Sequence, residues 1–190
     1  CPAQLKERLR YFCGRDQMDI EGLGTALVEQ LVDRGWVGSL ADLYRLRDRR
    51  DELSELVFAA SETTSATPRR LGAKSAEKLL EAIESSKQRP LARLLAALGI
   101  PHVGVSTALL LADHFGAMDA LREAKPEMLQ EIPGVGPELA ASVHSFLQSQ
   151  AGGGLVDELT SAGGKMTQPR RPGALSLPLA RQTVEVAGTP

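Results

Sequence analysis

The chain has 190 residues, of which 43% are hydrophobic and 24% charged, a composition typical of a folded globular protein. Aromatic residues make up only 4%, so we expect a core of Leu, Ala, Val and Ile. No stretch approaches the roughly 20 apolar residues of a membrane-spanning helix, and we expect no membrane partner. The net charge is −2, so any binding of phosphate groups must come from local geometry and not from a basic surplus.

Two cysteines, Cys1 and Cys13, are too few for a disulfide framework or a closed four-ligand metal site. The sequence begins with a cysteine, and the basic Lys6 and Arg8 follow without the apolar core of a signal peptide. We therefore expect a cytoplasmic protein, and the missing initiator methionine predicts a fragment or a processed piece. Cys13 lies on an apolar helical segment, which favours a core position over a ligand.

Helical periodicity dominates the chain up to about residue 150. The apolar spacing predicts helices over residues 4–12, 25–34, 75–87, 106–115, 117–124 and 137–150, and a further helix that Ser39 caps with Asp42 as a capping box. The glycine triplet 152–154 is expected to break the preceding helix. Alternation with a period of two occurs only at 183–186. The predicted fold class is all-α, with a short β-like C-terminal segment.

Two stretches have the composition of connectors. Residues 61–68 are small and polar, and residues 163–178 are rich in glycine, proline and basic side chains. We expect the second stretch to be a flexible linker.

The glycines mark an internal repeat in the sequence. Gly72, Gly104 and Gly136 are spaced 32 residues apart, and each is followed four residues later by an alanine. A further copy lies at Gly24, with Val28 in the alanine position. The copies at Gly24 and Gly136 also carry an earlier glycine, Gly22 or Gly134, separated by one apolar residue, whereas Arg70 and His102 occupy that place in the others.

The repeat predicts a tight hairpin between two helices. Glycine adopts positive φ without steric cost and allows a ligand to approach the backbone, so we expect Gly136, for example, to need positive φ. The second helix starts at once, and its first N–H groups are then free to bind a phosphate. The predicted phosphate-binding residues are Gly22, Gly24, Thr25, Gly72, Lys74, Ser75, Gly104, Ser106, Thr107, Gly134 and Gly136.

These motifs, taken in order, resemble the tandem helix-hairpin-helix domain of bacterial NAD-dependent DNA ligases. The resemblance lies in residues 18–24, Lys74-Ser75-Ala76, residues 97–104 with 114–116, and residues 132–137, which match four successive hairpins. It covers roughly residues 1–165. One departure is Arg70-Leu71-Gly72, where the family has Gly-Phe-Gly, so we expect the second hairpin to be distorted.

Both edges of the chain fit the same family. Cys1 to Gln4 resembles the last ligand of the family's four-cysteine zinc finger, so Cys1 would be a single remaining zinc ligand in an incomplete site. Residues 179–190 resemble the start of a BRCT domain. The resemblance implies four parts: residues 1–16 as the zinc-finger end with a connecting helix, 17–150 as the DNA-binding domain, 151–178 as terminal helix and linker, and 179–190 as a truncated BRCT start.

The resemblance implies a monomer that binds nicked double-stranded DNA in replication and repair, in the bacterial cytoplasm with the nucleoid. The parent ligase would need NAD, zinc and magnesium. None of the six lysines stands in the family's Lys-x-Asp-Gly motif, so we expect no catalytic residue, no bound cofactor and no ligase activity in this segment alone. Two alternatives remain at this stage: a free-standing DNA-binding module of another repair protein, and a helical protein-interaction domain.

Overall fold

The computed structural model describes residues 1–58 and 68–169. In chain order the elements are α1 (Pro2–Phe12), α2 (Thr25–Asp33), a 3-10 helix (Leu40–Arg49), α3 (Arg50–Ser54), β1 (Val57–Phe58), β2 (Arg69–Arg70), α4 (Ala73–Ser86), α5 (Leu91–Ala97), α6 (Val105–Phe115), α7 (Met118–Glu123), α8 (Pro126–Gln130), α9 (Pro137–Gln148) and α10 (Gln150–Ser161). The all-α prediction is confirmed. The β-like segment 183–186 and residues 179–190 lie outside the described residues, as do residues 61–67 of the first connector.

The helices pack as four successive pairs. Helix α1 packs on α2, α3 on α4, α5 on α6 and α8 on α9, so each pair joins two helices that follow one another along the chain. Leucine and alanine dominate the buried side chains, and Phe12 is the one fully buried aromatic ring among the described residues. The buried hydroxyl of Ser86 donates to the Ile83 carbonyl at 2.6 Å, so this polar group is satisfied inside the core.

The 3-10 helix begins where the capping pattern predicts. The Asp42 carboxylate accepts hydrogen bonds from the backbone N–H groups of Gly38 and Ser39, both at 2.9 Å. This contact satisfies two donors that a helix start otherwise leaves free.

A short antiparallel ribbon interrupts the helical body. Val57 pairs with Arg70 and Phe58 with Arg69. The sequence analysis did not predict this sheet, because two residues per strand are too few for an alternation pattern.

The prediction that the glycine triplet breaks a helix is wrong. The break lies at Ser149, whose hydroxyl caps α10 by accepting from the Gly152 N–H at 2.9 Å. Gly152 and Gly153 are buried inside α10, where a Cβ on Gly152 would lie 2.1 Å from the Phe146 carbonyl oxygen. The glycines therefore allow α10 to pack closely against the end of α9.

The first part of the predicted flexible linker is held in place. The Lys165 N–H donates to the Lys87 carbonyl at 2.8 Å, and the Gln168 N–H donates to the Gly116 carbonyl at 2.9 Å. Thr167 accepts from the Leu91 N–H at 3.0 Å at the start of α5. Backbone hydrogen bonds thus attach residues 165–168 to the helical body, which corrects the prediction for this part; residues 170–178 are not described.

Polar contacts connect the first helix pair with the third. The Arg93 guanidinium donates to the carbonyl oxygens of Arg15 and Gln17 at 2.7 and 3.0 Å. Arg89 forms an ion pair with Asp19 at 3.0 Å. Among the described helices, none is long and apolar enough to cross a membrane.

Candidate functional site

Each copy of the glycine repeat stands at the start of a helix. Gly24, Gly72, Gly104 and Gly136 are the N-cap residues of α2, α4, α6 and α9, and none of these four starts has a side-chain cap. In each helix the fourth residue after the start is the first to bond back to the glycine carbonyl. The N–H groups before it therefore have no acceptor among the described residues, and they carry the positive end of the helix dipole.

The predicted conformation of the second glycine in the repeat is wrong for three copies. Gly24, Gly104 and Gly136 have φ of −71°, −96° and −85°, which any residue can adopt. Positive φ occurs instead two residues earlier, at Gly22 (95°), His102 (67°) and Gly134 (93°).

Hydrogen bonding explains that shift in two of the turns. The Val103 N–H donates to the Ile100 carbonyl, and the Val135 N–H donates to the Ile132 carbonyl, both at 3.0 Å. Each turn has proline at its second position and positive φ at its third, which is the pattern of a type II turn. The turn thus takes up the unusual backbone conformation, and the helix-start glycine is left extended.

The space around the three extended glycines is open. A Cβ built on Gly24, Gly104 or Gly136 would meet no atom of the described chain within 4 Å. Neither backbone conformation nor packing within the protein requires glycine at these positions. Approach of a ligand to the bare backbone does require a small residue there.

The small residue one turn into each helix is buried. Ala76, Ala108 and Ala140 have no exposed surface, and Val28 is 1% exposed.

The four hairpins pack against one another in two pairs. A Cβ on Gly22 would lie 3.5 Å from Leu79 of α4, and one on Gly134 would lie 3.7 Å from Leu110 of α6. Hairpin one therefore packs on the second helix of hairpin two, and hairpin four on that of hairpin three.

Hairpin two lacks the turn of the other three, as its sequence predicted. Its backbone leads from β2 directly to Gly72. The Leu71 N–H donates to the Leu56 carbonyl at 2.8 Å, and the Gly72 N–H donates to the Ser54 carbonyl at 3.0 Å. Gly72 has φ of 80°, so here the N-cap glycine itself adopts the left-handed conformation. The helix start is kept, although a ribbon replaces the turn.

The predicted polar side chains lie beside these helix starts. Thr25, Lys74, Ser75 and Ser106 are exposed, and Thr107 is half-buried. The structure leaves Lys74 without an ion pair in the part of the chain that it describes. Helix α9 differs, because Pro137 has no N–H and the exposed Glu138 places a negative charge in the first turn.

The two cysteines have opposite environments. Cys13 is 8% exposed, and burial raises the pKa of its thiol to about 12, which confirms a core position. Cys1 is exposed at the N-cap of α1. The described residues contain no group of three or more His, Cys, Asp or Glu side chains that could hold a metal ion. Cys1 could supply one ligand of a zinc site.

The space in front of each helix-start glycine is open. One depression in the surface is lined by residues around Arg8 and Glu158, and another by residues around Trp36 and Arg45. Neither contains a helix-start glycine. Backbone amides on an open surface can bind the anionic groups of an extended ligand. Backbone amides supply neither a nucleophile nor a general base.

Comparison with known proteins agrees with this geometry. Residues 93–156 match the helix-hairpin-helix motif family, a segment that contains hairpins three and four. The fold and its repeated helix starts define a helical protein built from tandem helix-hairpin-helix units.

The chain is also similar to DNA ligases over most of its length. It is 44% identical over 189 residues to the DNA ligase of Symbiobacterium thermophilum, covering 100% of this chain and 26% of that protein. It is 47% identical over 163 residues to the DNA ligase of Pelotomaculum thermopropionicum (86% and 22%) and 46% identical over 171 residues to that of Syntrophobacter fumaroxidans (89% and 23%). The chain spans about a quarter of the length of these relatives. The similarity confirms the resemblance to a segment of a DNA ligase.

Sequence reasoning missed the exact position of the strained backbone. Aligning the repeat copies places His102 at the position of Gly134, and the positive φ of both residues follows from the shared turn. The sequence does contain a signal for this turn. Pro101 and Pro133 stand at the second turn position, where proline favours this turn type.

Proposed function

We propose that this chain binds duplex DNA through the phosphate backbone, as the DNA-clamping part of a ligase that seals nicks. One observation carries the proposal: four helices start at an uncapped glycine, and at all four the space that a Cβ would occupy is open. The similarity to DNA ligases supports the same function.

The binding chemistry follows from the helix starts. Free N–H groups and the positive end of the helix dipole attract a phosphate oxygen, and glycine allows it to approach to hydrogen-bonding distance. Amides that contact phosphates carry no information about the bases, so binding would not depend on DNA sequence. We infer that the hairpins follow the minor groove and hold phosphates of both strands around the nick.

The ligase reaction itself would take place outside this segment. The resemblance implies an NAD-dependent enzyme that works in replication and repair, in the bacterial cytoplasm at the nucleoid, with zinc and magnesium as further cofactors. In that enzyme NAD supplies the adenylyl group, which a lysine outside this segment would accept. The residues of this chain would hold and shape the duplex, with the chain acting as a monomer.

The chain should not form a covalent adenylate by itself. None of its lysines stands in the Lys-x-Asp-Gly motif that carries the adenylate in the family. Incubation with radiolabelled NAD and magnesium should leave the protein unlabelled. A labelled band at the mass of this chain would contradict the assignment of the chemistry to another domain.

The purified chain should also contain no stoichiometric zinc, because Cys1 provides only one of the four ligands of a structural site. Elemental analysis after dialysis against a weak chelator measures the metal content. One tightly bound zinc ion per chain would show that other residues complete the site.

A binding titration tests the proposed function directly. Labelled nicked duplexes of three unrelated sequences, and an intact duplex of the same length, are titrated with the chain by fluorescence anisotropy at several salt concentrations. We expect similar dissociation constants for the three sequences and weaker binding as salt rises. Absence of binding at low salt would contradict the proposal and favour a protein-interaction domain.

A further inference from the structure

We propose that hairpin two binds DNA differently from the other three hairpins, through a row of cationic side chains formed by Arg69, Lys74 and Lys78. We call these three residues the basic strip. The inference rests on the proposed function, because it assigns to one hairpin the salt-dependent part of DNA binding.

Charge is distributed unevenly among the helix starts. The first turns of α2, α6 and α9 contain no lysine or arginine, and α9 carries Glu138. In the first turn of α4, by contrast, Lys74 is exposed, and Lys78 follows four residues later. Residues four apart lie on the same face of a helix, so the two ammonium groups share one face of α4.

The basic strip has no ion-pair partner among the described residues. Arg69, Lys74 and Lys78 are exposed, and none forms an ion pair with another described residue. The acidic neighbours are used elsewhere: Glu55 pairs with Arg70 and Glu77 with Arg50, both at 2.7 Å. Glu81, three residues after Lys78, is the nearest acidic residue on this face of α4 without an ion pair.

The backbone of hairpin two also differs from that of the other hairpins. The ribbon that replaces the turn places Arg69 in β2, three residues before the N-cap Gly72. Successive residues of a strand point to opposite sides, so Arg69 and the paired Arg70 face different directions. Hairpin two thus differs in backbone from the other copies, and along its sequence one exposed cation precedes the helix start and two follow it.

The consequence is a division between two kinds of contact. Hairpins one, three and four would contribute mainly backbone amides, whereas hairpin two would neutralise phosphates with full charges. Each phosphate neutralised by a lysine or arginine releases counterions and adds about 0.9 to the slope of log affinity against log salt. Most of the salt dependence of this nearly neutral protein would then come from three residues.

The test compares two triple variants with the same loss of charge. The strip variant carries Arg69→Ala, Lys74→Ala and Lys78→Ala. The control variant carries Arg8→Ala, Arg47→Ala and Lys125→Ala, three exposed cations that also have no ion pair among the described residues. Affinity for a labelled nicked duplex is measured across a salt series, and circular dichroism confirms that both variants are folded.

We expect the strip variant to lower the magnitude of the salt slope by about 2 to 3, and its affinity at low salt by at least about tenfold. The control variant should change the slope by less than about 1. Lysine and arginine should be interchangeable here, so Lys74→Arg with Lys78→Arg should keep the parental slope.

Two results would overturn the inference while the proposed function stands: a strip variant that keeps the parental slope, or a control variant that loses as much. A parent chain that does not bind the duplex at any salt concentration would overturn both.

Discussion

Gly134 and Gly136 lie two residues apart and are glycine for different reasons. Gly134 has φ of 93° at the third position of a tight turn, a conformation that residues with a Cβ rarely adopt. Gly136 has φ of −85° and ψ of 175°, an extended conformation that suits valine. The first glycine serves the fold and the second leaves the helix start accessible.

This difference predicts that the two substitutions destabilise the chain to different extents. Gly134→Val should lower the free energy of unfolding by about 1–3 kcal/mol, because it forces a β-branched residue into the left-handed region. Gly136→Val should lower it by about 1 kcal/mol or less, because only the preference for the N-cap position changes. Urea unfolding followed by circular dichroism measures both. Equal destabilisation by the two substitutions would contradict the assigned roles.

The Cys13 thiol is buried in the apolar core beside α1, and burial raises its pKa from the ordinary 9.0 to about 12. The folded state therefore keeps this thiol protonated over a pH range in which the unfolded chain ionises. Because the folded state then binds more protons than the unfolded state, the free energy of unfolding should fall as pH rises from about 9 to about 12.

Thiol labelling tests the same environment. Treatment of the native chain with a thiol-specific reagent at neutral pH should add one label, at the exposed Cys1. A second label should appear only in denaturant, and mass spectrometry of the intact chain counts the labels. Rapid double labelling of the native chain would show that Cys13 is accessible.

At the scale of elements, the contact between α9 and α10 depends on a residue without a side chain. A Cβ on Gly152 would lie 2.1 Å from the Phe146 carbonyl oxygen and 2.9 Å from its ring, whereas a Cβ on Gly154 would meet nothing within 4 Å. Both glycines lie in α10.

The pair of substitutions to alanine should therefore have effects of opposite sign. Gly152→Ala should destabilise the chain by about 1–3 kcal/mol, because α10 must move away from α9. Gly154→Ala should stabilise it by about 0.5–1 kcal/mol, because alanine loses less backbone entropy in a helix. Thermal unfolding of the two variants decides the point, and a stabilised Gly152→Ala variant would contradict the close packing.

The elements that the sequence predicted are the amphipathic ones. Helices α2, α4, α6 and α9 each combine a glycine start with one apolar face, so periodicity and capping agree. Helix α5 was not predicted because six of its seven residues are buried, which leaves no polar face to define a period. Helices α3 and α8 have five residues each, fewer than two turns, and their short length hides any pattern.

The candidate site was predictable in position but not in conformation. The spacing of Gly104 and Gly136 located the helix starts, because a repeat marks equivalent places in equivalent units. The backbone angles depend on the hydrogen bond that closes each turn, from Val103 to Ile100 and from Val135 to Ile132, and this contact is defined only in the folded structure.

For the whole molecule, the central feature of the proposed function is DNA binding by a chain without a surplus of basic residues. The net charge is −2, and several lysines and arginines, among them Lys6, Arg10 and Arg50, form ion pairs within the protein. Binding in this account depends on helix starts and on a small number of free cations. It is therefore sensitive to the loss of one glycine at a helix start.

The most direct test is the affinity of Gly136→Val for nicked duplex, with Gly154→Ala as the control. The valine side chain would keep a phosphate away from the Glu138 and Leu139 N–H groups, and Glu138 provides no side-chain attraction in compensation.

We expect the folded Gly136→Val variant to bind about tenfold more weakly, a loss of about 1.4 kcal/mol, equally for unrelated DNA sequences, and Gly154→Ala to bind like the parent. A folded Gly136→Val variant that binds as tightly as the parent would contradict the backbone-amide mechanism.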